Sequence, residues 1–163
     1  MKTIQRLALF LTIGMFVSCG ENTDNKTESA KSSEPAAVEE TEVLEPASTR
    51  ITLDNKGVGK IKSIELGETI DAAMAERGSE LFNTNCSACH KTDKRFIGPN
   101  PTGILERRSP EWIMNMILDP KLMVEEDQCA KDLLVEFNGA AMANQNMSEE
   151  QAREILEFFR TLK

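Results

Sequence analysis

From residue 70 onward, apolar positions recur at the helical period of about 3.6. Ile70, Met74, Gly78, Leu81, Phe82 and Asn85 fall on one stripe, and a glycine on that stripe predicts the close approach of another helix. Ser109-Pro110-Glu111-Trp112 reads as an N-cap followed by proline at the first helical position, with Asp119-Pro120 as the stop. A third helix is expected from about Glu126 to Phe137, with Ala130, Leu133, Leu134 and Phe137 inward and Gly139 just past its end. Ser148-Glu149-Glu150-Gln151 has capping-box spacing. Behind it Ala152, Ile155, Phe159 and Leu162 line one helix face, flanked by Leu156 and Phe158. These four helices, with no credible sheet and no repeat, predict an all-α domain over residues 50–163. Its first stretch, residues 50–69, carries Gly57, Gly59 and spaced Ile61, Ile64 and Leu66, which suggests a turn and an extended segment laid on the domain surface.

Upstream the pattern is different. Residues 1–18 hold Lys2, Arg6 and no acid, with an apolar run from Leu7 to Val17 that is too short to cross a bilayer but suits a signal-peptide core. The run ends in Phe16-Val17-Ser18-Cys19-Gly20, which resembles the lipobox of bacterial lipoproteins and implies a lipid on Cys19. Phe16 stands where most such motifs carry leucine. From Gly20 to Thr49 there are eight acids against Lys26 and Lys31, no aromatic residue and few large apolar ones, too little to drive folding. Residues 19–49 are expected to be a lipid-anchored, disordered acidic linker with an end-to-end distance on the order of 30 Å, placing the domain on the periplasmic side of a bacterial membrane. The formal net charge of -8 argues against nucleic acid, whose phosphates need a cationic surface.

The chemistry concentrates in Cys86-Ser87-Ala88-Cys89-His90. Two thiols three positions apart reach the two vinyl groups of one haem as thioethers, and the following histidine ligates the iron. A closed zinc site would need Cys86, Cys89, Cys129 and the single histidine together, with Cys89 and His90 adjacent and awkward for one tetrahedron. A thioredoxin-type pair would accompany a βαβ pattern, which is absent. Cys129 shares its helix with Leu133 and reads as a small core residue. No structural disulfide is expected.

Because His90 is the only histidine, the iron is either His/Met or open on one side. Methionine, a soft thioether, favours ferrous iron. Met74, Met114 and Met116 fall on helices with a packing explanation, and Met123 sits between helices as an outside candidate. Met147 precedes the Ser148 cap, the place of a hydrophobic staple. Met142 lies among small residues, Gly139-Ala140-Ala141-Met142-Ala143, where backbone can approach a flat ligand. It is the expected sixth ligand, ahead of Met147.

Residues 71–163 resemble a class I cytochrome c. Gly78 and Phe82 match the first-helix residues that cross the last helix, where Phe158 stands at the aromatic position. Ile97-Gly98-Pro99 matches the turn in which, the resemblance implies, the Pro99 carbonyl takes the proton on the far nitrogen of the haem histidine. Met142, Asn144 and Ser148-Glu149-Glu150 are similar to the ligand loop, although Ala143 stands where proline is common. The stretch from Lys91 through Arg108 to Trp112 is similar to cytochromes encoded beside nitrous-oxide reductase.

The resemblance implies a non-enzymatic single-electron carrier with one covalent haem c and redox protein partners, a nitrous-oxide reductase or a terminal oxidase among them. A peroxidase-like enzyme or a small-gas sensor with an open axial position is the alternative, and it would have no second histidine as distal base. Lys91, Lys94, Arg95, Arg107 and Arg108 form either a positive docking face or an ordinary solvated surface.

Overall fold

The computed structural model describes residues 45–163. The expected signal peptide, the Cys19 lipid site and the linker as far as Leu44 lie outside the described residues.

The first helix, α1, spans Ala72–Asn85 and opens on Asp71, whose carboxylate accepts from the Met74 N–H at 3.0 Å. Helix therefore begins after Ile70, which is 39% exposed and does not belong to the buried stripe. The last helix, α5 (Glu149–Thr161), opens on the expected capping box of Ser148 and Gln151, which satisfies two backbone N–H groups that a helix start otherwise leaves open. The two helices cross at Gly78, where a β-carbon would fall inside the van der Waals radius of the Glu154 carbonyl. Below the crossing, Phe82 lies 5.5 Å from Phe158 and 5.8 Å from Phe159 between ring centroids. The close approach thus produces an aromatic cluster worth about 0.5–1.5 kcal/mol per pair beyond its buried area.

Three short helices follow the middle of the chain: α2 (Pro110–Leu118), α3 (Pro120–Glu126) and α4 (Gln128–Glu136). The helix α3 was not expected. Asp119-Pro120 ends α2 as predicted, but the Asp119 side chain also accepts from the Leu122 N–H and Pro120 occupies the first turn of the next helix. A proline there lacks only an N–H that has no intrahelical partner anyway. Asp127 repeats the device: its carboxylate takes the Ala130 N–H and the Trp112 indole N–H at 2.8 and 3.0 Å, so α4 begins at Gln128 rather than Glu126. No strands form among the described residues.

Ahead of α1, the segment to Leu66 runs over α2 in extended form. Asn115 substitutes for a neighbouring strand, accepting from the Ile61 N–H at 3.0 Å and donating to the carbonyls of Ile61 and Lys56 at 2.9 and 3.1 Å. Glu111 accepts from the Ile64 N–H, and the Thr52 N–H reaches the Arg107 carbonyl at 2.9 Å. Packed order extends further back than the compositional boundary at Arg50. Ala47 is buried, and Ser48 donates to Glu136 from both its N–H (2.8 Å) and its hydroxyl (2.6 Å). These residues are small and polar, so composition classes them as linker, whereas fixed acceptors on α4 hold them.

Glu157, almost fully buried on α5, accepts from the Asp71 N–H at 2.8 Å and pairs with Arg153 and Arg160. Burial alone raises a carboxyl's pKa, but the N–H and the two guanidiniums outweigh it and hold Glu157 below the usual carboxylate range. A depressed native pKa contributes stability above the unfolded value that disappears as pH falls through the native one. Glu157→Gln is expected to cost about 3 kcal/mol at neutral pH and to flatten the acid side of the stability profile. Thermal unfolding at a series of pH values checks this, and an unchanged acid limb would refute it.

Candidate functional site

The helix α1 ends at Cys86, whose N–H still bonds the Phe82 carbonyl at 2.9 Å. The chain then curls: the Cys89 and His90 N–H groups both reach the Cys86 carbonyl, at 3.0 and 2.9 Å. This turn sets the two thiols and the imidazole against one cavity, lined also by Pro99, Ile104, Trp112, Ile113, Phe159 and Met142.

His90 is held from behind. Its Nδ1 lies 2.8 Å from the Pro99 carbonyl, and because a carbonyl only accepts, Nδ1 carries the proton and Nε2 keeps its lone pair for a metal. The slot depends on Gly98, whose absent β-carbon would stand 2.5 Å from Cε1 and 2.9 Å from Nδ1 of the ring. The Gly98 N–H in turn bonds the Cys89 carbonyl at 2.9 Å, so the loop is fixed to the cysteine turn it serves.

Burial pushes the Cys86 thiol above its ordinary value, and the neighbouring Cys89 pushes the same way. An exchanging dithiol needs the reverse, a thiolate stabilised near neutrality. Nor do the described residues contain a cluster of three or more His, Cys, Asp or Glu side chains able to enclose a metal ion. Both thiols line the same cavity as His90.

Among the methionines, Met142 lines the cavity and so does Met116. Met123 is fully buried against the extended segment, its sulfur 3.1 Å from the Val58 N–H. Met147 packs at the core margin, away from the cavity lining, in keeping with a staple. Cys129 is 4% exposed, a core residue.

The five basic residues do not share one face. Lys91 donates to the Ser87 carbonyl and lies 5.4 Å from the Phe96 ring, while Arg95 stacks 3.9 Å over Phe137 and pairs with Glu136. Arg107 and Arg108 instead turn inward and line the cavity. Arg108 is 3% exposed, and its Nε has no partner among the described residues. Burial and the neighbouring Arg108 charge both lower the Arg107 pKa. Local sequence gives no signal for this reversal, since an Arg-Arg pair before a helix cap ordinarily reads as surface.

A haem fits this donor set. The walls are largely apolar, two thiols and an imidazole tied through Nδ1 to Pro99 line the same space, thioethers share it, and buried cations suit the carboxylates of such a macrocycle.

Comparison with known proteins agrees. The cytochrome c family model matches residues 75–163. Among solved structures, cytochrome c from Rhodothermus marinus is 46% identical with a TM-score of 0.62, over 64% of this chain and 89% of that one. An engineered form of that cytochrome matches with the same identity and TM-score, over 64% and 90%. The engineered form bound to a carbene intermediate matches at a TM-score of 0.59, again 46% identical over 64% and 89%. Comparison with curated proteins finds no match. The Gly78 crossing, the cysteine turn and the Pro99 brace all fall within the matched residues, and the chain belongs to the cytochrome c family, with one covalent haem c as its cofactor.

Proposed function

We propose that this chain is a lipid-anchored single-electron shuttle on the periplasmic side of a bacterial membrane, passing electrons from membrane-side donors to a terminal reductase or oxidase. As a cytochrome c it is an electron carrier with redox protein partners. In this reading Cys86 and Cys89 hold the haem as thioethers, His90 ligates the iron, Pro99 orients His90, and Met142 is the sixth ligand.

The carrying observation is the Nδ1 to Pro99 contact of 2.8 Å together with a thioether lining the same cavity. A one-electron iron couple is the chemistry the haem supplies when bound; everything else is the protein's. Pro99 fixes the imidazole tautomer and raises its basicity. Met142 lines the cavity together with His90, and as the sixth ligand it would close the position that an oxygen-activating enzyme or gas sensor keeps open. Trp112, Ile113 and Phe159 exclude water, so little has to reorganise when the charge changes.

Upstream of the domain, the lipobox-like Cys19 and the acidic linker support a tether that raises the local concentration of partners. No helix among the described residues is long and apolar enough to cross a membrane. A nitrous-oxide reductase is the proposed acceptor, from the Lys91 to Trp112 resemblance, and a terminal oxidase is the second choice. Mass spectrometry of the mature polypeptide tests the reading: a chain beginning at an acylated Cys19 and carrying one macrocycle is expected. A mature chain without the added mass of the macrocycle sinks the electron-carrier account, and one starting at an unmodified residue sinks the anchor alone.

A further inference from the structure

The loop that carries Met142 is tied down at its two ends and hardly at all between them. At its start the Gly139 and Ala140 N–H groups donate to the carbonyls of Leu134 and Phe137, at 2.8 and 3.1 Å, and at its end stands the capping box of Ser148. From Ala141 to Met147 no backbone group hydrogen-bonds to backbone elsewhere in the described residues. The polar side chains there bond mostly within the loop: Gln145 Nε2 donates to the Ala143 carbonyl at 3.3 Å, and the Asn146 N–H donates to Asn144 Oδ1 at 2.7 Å, a turn that leaves Asn146 in the left-handed region at φ 53°. Asn144 also reaches out of the loop. Its Nδ2 donates to the Leu118 carbonyl at 3.4 Å, and Leu118 is the last residue of α2, where carbonyls lack an intrahelical partner. The same turn of α2 carries Met116, which lines the cavity with Met142.

We propose that Asn144 is a latch on the sixth iron position: its amide hooks the loop to the end of α2, keeps Met142 in place and so shuts small gases out of the haem site. The inference rests on the reading that Met142 is the sixth ligand. Methionine is a flexible, unbranched side chain, so how long its sulfur stays on a metal depends on how firmly its backbone is confined. Gly139-Ala140-Ala141-Met142-Ala143 holds no branched side chain to stiffen it, and release regains conformational entropy. The two ends of the Asn144 amide divide the work, Oδ1 shaping the turn and Nδ2 fastening it to α2. Asn144 acts through Met142 and is a positioning residue.

The test uses the full-length reduced holoprotein, with the rate of carbon monoxide uptake read by absorbance. Carbon monoxide binds only while Met142 is off the iron, so the rate follows the population of released loop. Asn144→Ala removes one net hydrogen bond and is expected to speed uptake about threefold. The oxidised variant should keep the thioether absorption band, and its melting temperature should stay within about 2 °C of the parent, since the residue is exposed. Asn144→Asp keeps the acceptor for the Asn146 N–H but loses the donor, and it sets a carboxylate at the negative end of α2. Its uptake is expected to be roughly tenfold faster than the parent's. Gln145→Ala, which removes an amide bonded only within the loop, is expected to leave the rate unchanged.

A parental rate in either Asn144 variant overturns the proposal, and the aspartate isolates the bond to Leu118 from the turn at Asn146. Equal acceleration in Gln145→Ala also overturns it, because loosening would then follow from any polar loss in the loop. Failure of the ligand reading shows itself separately: Met142→Ala would then keep the thioether band, whereas the latch is tested on a parent whose band that substitution removes.

Discussion

Replacing Gly78 by alanine is expected to lower stability by about 3 kcal/mol and the melting temperature by roughly 10–15 °C. The obstacle to the added methyl is backbone, the Glu154 carbonyl followed by the Ile155 nitrogen at 3.0 Å, so no side-chain rotation relieves it and α1 must move away from α5. Moving α1 separates Phe82 from Phe158 and Phe159. It also shifts the cavity, because Phe82 and Phe159 line it and the cysteine turn hangs from the end of α1. The fold and the site therefore fail together. Circular dichroism melts of the holoprotein provide the measurement, and a melting temperature within about 2 °C of the parent would show that the helices have room to spare at the crossing.

Replacing Met142 by alanine is expected to lower the reduction potential by on the order of 100 mV, roughly fiftyfold in the reduced-to-oxidised ratio. As the proposed ligand, Met142 would supply a soft sulfur that favours ferrous iron, and its loss would open the iron to water or an added gas. The variant should lose the weak long-wavelength absorption of iron bonded to thioether sulfur and bind carbon monoxide rapidly when reduced. Met147→Ala, whose side chain packs at the core margin, should keep both the band and the potential. Met116 is the informative control because it too lines the cavity. Persistence of the band in Met142→Ala and its loss in Met116→Ala would transfer the ligand assignment to α2.

Much of this was legible in order along the chain. The caps at Ser109 and Ser148, the stop at Asp119-Pro120 and the glycine at position 78 are local or periodic features, and each appears where it was expected. The extra helix α3 is not legible in the local pattern, because a proline after Asp119 reads as an ending, although at the first turn of a helix it is equally a beginning. The order at Ala47 and Ser48 escaped notice for a different reason. Nothing in their composition asks for burial, and the groups that hold them, Glu136 and Arg108, lie 88 and 61 residues away.

The site divides along the same line. The identity of the chemistry was a property of sequence, since Cys86, Cys89 and His90 are close enough along the chain to act on one cofactor whatever the rest of the molecule does. The surroundings of that chemistry were not. That Pro99 braces the imidazole in this chain, that Met142 and Met116 share a cavity while Met147 and Met123 do not, and that Arg107 and Arg108 face inward instead of joining Lys91 and Lys94 at the surface are decided by the crossing of α1 with α5 and by the extended segment over α2. Short-range spacing and helix period are written into neighbouring residues. The environment of a charge or a sulfur is made by residues brought together from distant parts of the chain, and only the folded structure supplies it.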